Sequence, residues 1–121
     1  MDIDPRQELG RWAEDLAAAH LESAGYRILD RNVHYPVGEL DIVAEHGEDL
    51  VFVEVRARSH PEEVHPAETV TARKQRRIVL AAMTYCQDHA IGDRMIRFDV
   101  VAVLSRDGEL EVYQNAFEAG R

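Results

Sequence analysis

At 121 residues the chain fits one domain of ordinary size and leaves no room for two independent catalytic domains. With 45% hydrophobic and 31% charged residues it has the composition of a folded globular protein, and its longest apolar run, Ile78 to Met83, falls far short of the roughly 18 to 20 residues a membrane span needs. Fourteen basic against 23 acidic side chains give a net charge of −9, which argues against nucleic-acid binding by a broadly basic surface; a single cysteine, Cys86, excludes an internal disulfide and a cysteine-built zinc site.

From Arg6 to Ala24 apolar residues recur at helical spacing (Leu9, Trp12, Leu16, Ala19), with Pro5 near the start and Gly25 after the end, so a first helix is predicted there. Tyr26 to Val33 reads as a strand, and Tyr35, Pro36, Val37 and Gly38 as the turn into a second strand, Glu39 to Ala44. His46 to Asp49 is a polar hairpin connection into a third strand, Leu50 to Ala57, and links this short imply an antiparallel meander. Arg58 to Thr69, with Pro61 and Pro66, reads as a loop. A second helix is predicted from the N-cap Thr71 to Asp88 or His89, with Ile78, Ala81, Ala82 and Tyr85 as its buried stripe. Ile96 to Leu104 is a strongly β-branched strand, and Asp107-Gly108 signals a hairpin into Leu110 to Tyr113. The order αβββαββ implies a single α/β domain over residues 1–121, with one mixed sheet: the second helix can return the chain to a strand parallel to the third. The acidic start, MDIDPRQ, lacks the apolar core of a secretion signal, so a cytoplasmic location is expected.

Charge is unevenly spread. Residues 1–70 carry six Arg against sixteen Asp and Glu, whereas residues 71–121 carry eight basic against seven acidic side chains. The densest basic cluster is Arg73, Lys74, Arg76 and Arg77, and Lys74 is the one lysine in the chain. The three arginines are candidate phosphate contacts, although a solvated helix face would show the same pattern. Lys74, spaced with Ile78, Ala81 and Tyr85, falls at the end of the buried stripe and is expected to point toward the sheet.

Side chains two apart on a strand share a face, so Glu54 and Arg56 face away from Val51, Val53 and Val55, and Glu39 and Asp41 are expected to face away from Leu40 and Ile42. If the hairpin aligns these faces, Asp41, Glu54 and Arg56 converge, with Glu39 close by. Gathered carboxylates repel one another unless a cation joins them, and hard oxygen donors suit Mg²⁺ or Mn²⁺. The same alternation also describes the wet face of a half-buried sheet. Leu50 and Phe52, on the face of Glu54, favour partial cover instead. His60 and His65 have a spacing seen in zinc sites but no further ligands, and Asp99 is read as pinning a strand.

The segments LGRWAEDLAAAHLESAGYRILDRN, GELDIVA, VFVEVRAR, AETVTARKQRRI and RFDVVAV, in this order and spacing, resemble the YraN-like family of predicted endonucleases. That family is similar to the archaeal Holliday-junction resolvases of the PD-(D/E)xK nuclease superfamily. The resemblance implies a restriction-endonuclease-like fold and metal-dependent hydrolysis of DNA phosphodiester bonds. It matches Glu14 to the family's helix-1 glutamate, Asp41 to its metal-binding aspartate and Glu54 to the glutamate of its ExK element, and puts Arg56 where that lysine stands. Asp41, Glu54 and Glu14 are then the expected Mg²⁺ or Mn²⁺ site, Arg56 and Lys74 its cations, and Arg73, Arg76 and Arg77 its contacts to DNA; resolvase-like relatives imply a homodimer. Ala13 and His65 stand where the family commonly has glycine. Because fold does not entail activity, a nucleic-acid-binding or scaffold module of the same fold, or a protein-interaction domain, are rival readings.

Overall fold

A computed structural model describes residues 5–57, 70–104 and 107–119 of the chain. The elements follow the predicted order: α1 (Pro5–Ser23), β1 (Tyr26–Tyr35), β2 (Gly38–His46), β3 (Asp49–Ala57), α2 (Ala72–Asp88), β4 (Ile96–Val103) and β5 (Leu110–Phe117). The strands form one sheet in the order β1-β2-β3-β4-β5, antiparallel except for the β3–β4 pair, which is parallel across the α2 crossover. β1 and β5 run longer than predicted. The predicted loop Arg58–Thr69, with His60 and His65, lies outside the described residues.

Each helix covers one face. Ala13, Ala17, Ala18 and Leu21 of α1 pack on Ile42, Ala44, Val51, Val53, Val101 and Val103. Ile78, Ala81, Ala82 and Tyr85 of α2, the predicted stripe, pack on the other face against Leu40, Val43, Leu50, Phe52, Phe98 and Val100. The result is a three-layer α/β/α mixed-sheet fold, compatible with the restriction-endonuclease-like architecture.

The helix ends follow local chemistry. Gly25, at φ 93°, takes the left-handed conformation that lets the chain turn out of α1 into β1. The Thr71 side chain caps α2 by accepting the Lys74 N–H at 3.2 Å. At the other end of α2 the left-handed residue is Ala90 (φ 50°), and the Ile91 N–H closes the turn on the Cys86 carbonyl at 3.0 Å. Gly92 is too far along to do this.

One expectation from strand alternation is overturned, and the reason positions the site. Leu40 and Ile42 do not share a face: Leu40 packs under α2 and Ile42 under α1. Their β1 partners behave alike, for Val33, opposite Leu40, joins the α2 core, whereas Arg31, opposite Ile42, reaches α1. Both strands therefore change face across Asn32 and Asp41. Asn32 supplies the conformation this needs, a left-handed φ of 53° that asparagine tolerates better than most residues.

Candidate metal and phosphate site

The β2–β3 ladder stops at Ile42 opposite Val53, one residue before Asp41 would meet Glu54. β3 continues alongside β4 as far as Ala57, so the two strands part here. The parting leaves the Val55 N–H without a strand partner on that side, and the Asp41 carboxylate accepts it at 2.9 Å. Asp41 thus lies at the edge where the two faces of the sheet meet.

From the α2 side Glu54 joins it. Its residue is buried, 6% exposed, and Lys74 reaches over from α2 to place Nζ 2.7 Å from Glu54 Oε1. Burial, and secondarily the Asp41 charge, push the Glu54 carboxyl up to about 8, while Lys74 draws it down. Arg56, two residues on, is a more distant partner: Nη1 is 3.9 Å from the same oxygen, on a side chain 32% exposed. The close cation of Glu54 therefore comes from α2 and not from its own strand.

From the α1 side Glu14 approaches Asp41. Burial raises its carboxyl, the nearby Asp41 charge raises it further, and Arg31 and the Asn32 amide pull the other way. Glu14 Oε1 is buried with no hydrogen-bond partner; the Arg31 Nε stands 3.5 Å away. Buried oxygens left in this state are uncommon and call for an explanation.

An open cleft of about 690 Å³ exposes this edge, with Asp41, Glu54 and Lys74 lining it. One wall is the β1–β2 turn (Tyr35, Pro36, Gly38, Glu39), and the other is the first turns of α2 (Thr71, Arg73, Arg77). The predicted basic cluster is thereby divided: Arg73 and Arg77 line the cleft, whereas Arg76 points away from it and is exposed. Arg56 and Glu14 flank the cleft without lining it. Glu39, at the mouth, pairs with His34 at 3.1 Å and is largely exposed. The two walls touch at Gly38, where a Cβ would stand 2.5 Å from the Arg77 carbonyl oxygen; no other residue fits.

Arg31 and Asn32 were not singled out in the sequence. Three consecutive polar residues inside a strand, Asp30 to Asn32, followed by Val33, were the available sign that the alternation breaks there. Among the described residues no three His, Cys, Asp or Glu side chains are grouped to hold a metal ion by themselves. The donors fit a hard divalent cation held by two carboxylates, Asp41 and Glu54, with the remaining positions filled by water, as Mg²⁺ commonly prefers. The free oxygen of Glu14 suits a hydrogen bond from such a water. No helix is long and apolar enough to cross a membrane.

The family model described as "Uncharacterised protein family UPF0102" matches residues 13–103, from the residue before Glu14 to the end of β4. A UPF0102 protein of Anaeromyxobacter dehalogenans is 50% identical over 119 residues, covering 97% of this chain and 89% of its own. That of Syntrophotalea carbinolica is 48% identical over 115 residues (93% and 94%), and that of Pelotomaculum thermopropionicum 47% over 118 residues (94% and 98%). With a matching model that spans the whole cleft edge and relatives near half identity along most of their length, the chain belongs to the UPF0102 family.

Proposed function

We propose that the protein is a metal-dependent endonuclease that hydrolyses DNA phosphodiester bonds in the cleft between the β1–β2 turn and α2. The observation that carries this reading is the buried Glu54 carboxylate, held beside Asp41 and ion-paired to Lys74 where β2 and β3 part. Such a site collects anionic donors around a small space and then lines the way in with arginines. That is the arrangement a phosphodiester needs, since its charge must be met by cations and its attacking water by oxygen acceptors.

Asp41 and Glu54 would hold Mg²⁺ or Mn²⁺, which when bound supplies Lewis-acid neutralisation of the phosphate and a more acidic attacking water. The chain's own residues provide the rest. Lys74, 2.7 Å from Glu54 in the cleft lining, would place positive charge against the phosphate. Arg56 acts by charge alone, because a guanidinium with a pKa above roughly 12 cannot serve as a base. Arg73 and Arg77 hold backbone phosphates on either side, and Glu14 orients water beside Asp41. Net negative charge does not oppose this, for a bound cation reverses the local sign and the arginines sit along the approach.

A panel of flapped, branched, single-stranded and plain duplex DNA, incubated with Mn²⁺ or with chelator, tests the reading. Cleavage of at least one substrate with Mn²⁺, lost with chelator and in Asp41→Ala and Glu54→Ala, supports it. A second reading is favoured by one observation: Lys74 already compensates Glu54 at 2.7 Å, so the edge is stable as a binding module without turnover. That reading predicts DNA binding unaffected by chelator and no cleavage of any substrate.

A further inference from the structure

We infer that Arg31 is a positioning residue for the cleft: it holds Glu14 over Asp41 from the far side of the sheet and so sets the water-mediated part of cation binding. The inference rests on the metal-dependent reading above.

Glu14 comes from α1, under the face opposite to α2, yet it must act at an edge that opens toward α2. Two features bring it there. The face change at Asn32 and Asp41 turns Asp41 to where both helices can reach it. On the β1 side of that change, Arg31 lies opposite Ile42, on the α1 face. Its guanidinium spans two successive carboxylates of α1: Nη2 donates to Asp15 Oδ1 at 2.7 Å, and Nε faces Glu14 Oε1 at 3.5 Å. The two contacts are unequal. The short, directional bond goes to Asp15, whose side chain is 68% exposed and has no part in the cleft, while the long one leaves Glu14 Oε1 buried with a lone pair uncommitted.

A side chain that merely neutralised Glu14 would make the short bond to Glu14. Arg31 instead anchors itself on Asp15 and offers Glu14 its charge without occupying its oxygen. The carboxylate is thereby kept near Asp41 despite their mutual repulsion, and its oxygen is left for a donor that arrives with the ligand. Asn32 assists from the next position. In a regular strand residue 32 would point away from residue 31, but its left-handed backbone brings the amide to bear on Glu14 as well.

The test is Mn²⁺ affinity by calorimetry, in wild-type and Glu14→Gln backgrounds. Residues that orient metal-bound groups without touching the metal typically change affinity about 10- to 100-fold. Arg31→Ala is expected to weaken Mn²⁺ binding about 10-fold where residue 14 is Glu and to have no effect where it is Gln. Arg31→Lys should recover part of the loss, and Asp15→Asn should give a smaller loss with the same dependence on Glu14. Should Arg31→Ala fail to fold, Arg31→Lys and Asp15→Asn carry the comparison by themselves. Equal losses in both backgrounds, or unchanged affinity in all these variants, would overturn the positioning role while leaving the metal site standing. A wild-type protein that binds no Mn²⁺ would instead overturn the metal-dependent reading, and this inference with it.

Discussion

Two clusters of buried carboxylates lie one register step apart on β3 and β4, Asp99 level with Val53 and Glu54 with Val100, and they are treated in opposite ways. In the middle of β4, Asp99 is fully buried and receives four donors: the Tyr26 hydroxyl at 2.7 Å, Nε and Nη2 of Arg97 at 2.9 Å each, and the Asn115 N–H at 2.9 Å. Arg97 in turn reaches Asp49 and His46, and burial with the neighbouring Asp99 pushes the Tyr26 phenol up to about 12. At the parting of β2 and β3, by contrast, Glu54 has one close cation, a second at 3.9 Å and a carboxylate for company, and Glu14 has an oxygen with no hydrogen bond. A completed network fixes a structure; an uncompleted one retains capacity for a ligand. The difference separates a structural carboxylate from candidate ligand-binding ones more sharply than burial does.

The contrast is broken most completely by removing the carboxylates of the uncompleted cluster. Asp41→Ala and Glu54→Ala are expected to abolish Mn²⁺ binding and DNA cleavage, with circular dichroism unchanged; a variant of either that cleaves at the wild-type rate would remove that residue from the site. In the completed network, Asp99→Ala leaves Arg97 short of its principal partner, and the loss should be one of stability, on the order of 3 to 5 kcal/mol in urea unfolding. Glu54→Gln should show no such loss.

Smaller effects distinguish the cations. Arg56→Ala is expected to slow cleavage roughly 10²-fold, in the range set by losing one group that stabilises developing charge, with Arg56→Lys retaining part of the rate. Lys74→Ala should be more damaging than Arg76→Ala, since one side chain meets Glu54 and the other points away from the cleft. Equal losses, each cured by lowering the salt, would make Lys74 an ordinary phosphate contact.

The same carboxyl is also read through a pH dependence. The Glu54 carboxyl titrates from 4.5 in the unfolded chain to about 8 in the folded one, so between these values the folded state alone keeps the proton. Stability in chelator should therefore fall as pH rises from about 4.5 to about 8 and level off above, and Glu54→Gln should flatten that limb. Urea midpoints at pH 5.5, 7 and 8.5 measure it.

The elements were legible because their signals are local. The α2 stripe follows from 3.6-residue spacing, and the Thr71 cap and the parallel β3–β4 pair follow from residue types and connection lengths. Asp41 and Glu54 were legible as a pair from their positions on adjacent strands. The division of the basic cluster was within reach too: at roughly 100° per residue Arg73, Lys74 and Arg77 fall on one side of the helix and Arg76 on another. The face change at Asn32 and Asp41 was not. Strand alternation assumes an unbroken extended backbone, and one left-handed residue reverses every inference beyond it. Arg31 was hidden for the same reason, since its importance depends on which helix it reaches.

The contact between Gly38 and the Arg77 carbonyl ties the cleft's two walls together. Because the β1–β2 turn rests directly on the α2 backbone at this point, the separation of the two walls is set there by backbone packing. The spacing between the cleft-lining arginines and the carboxylate edge is then a property of the fold itself. One methyl group at position 38 would act as a wedge, lifting α2 and drawing Lys74 away from Glu54 without altering a charged residue.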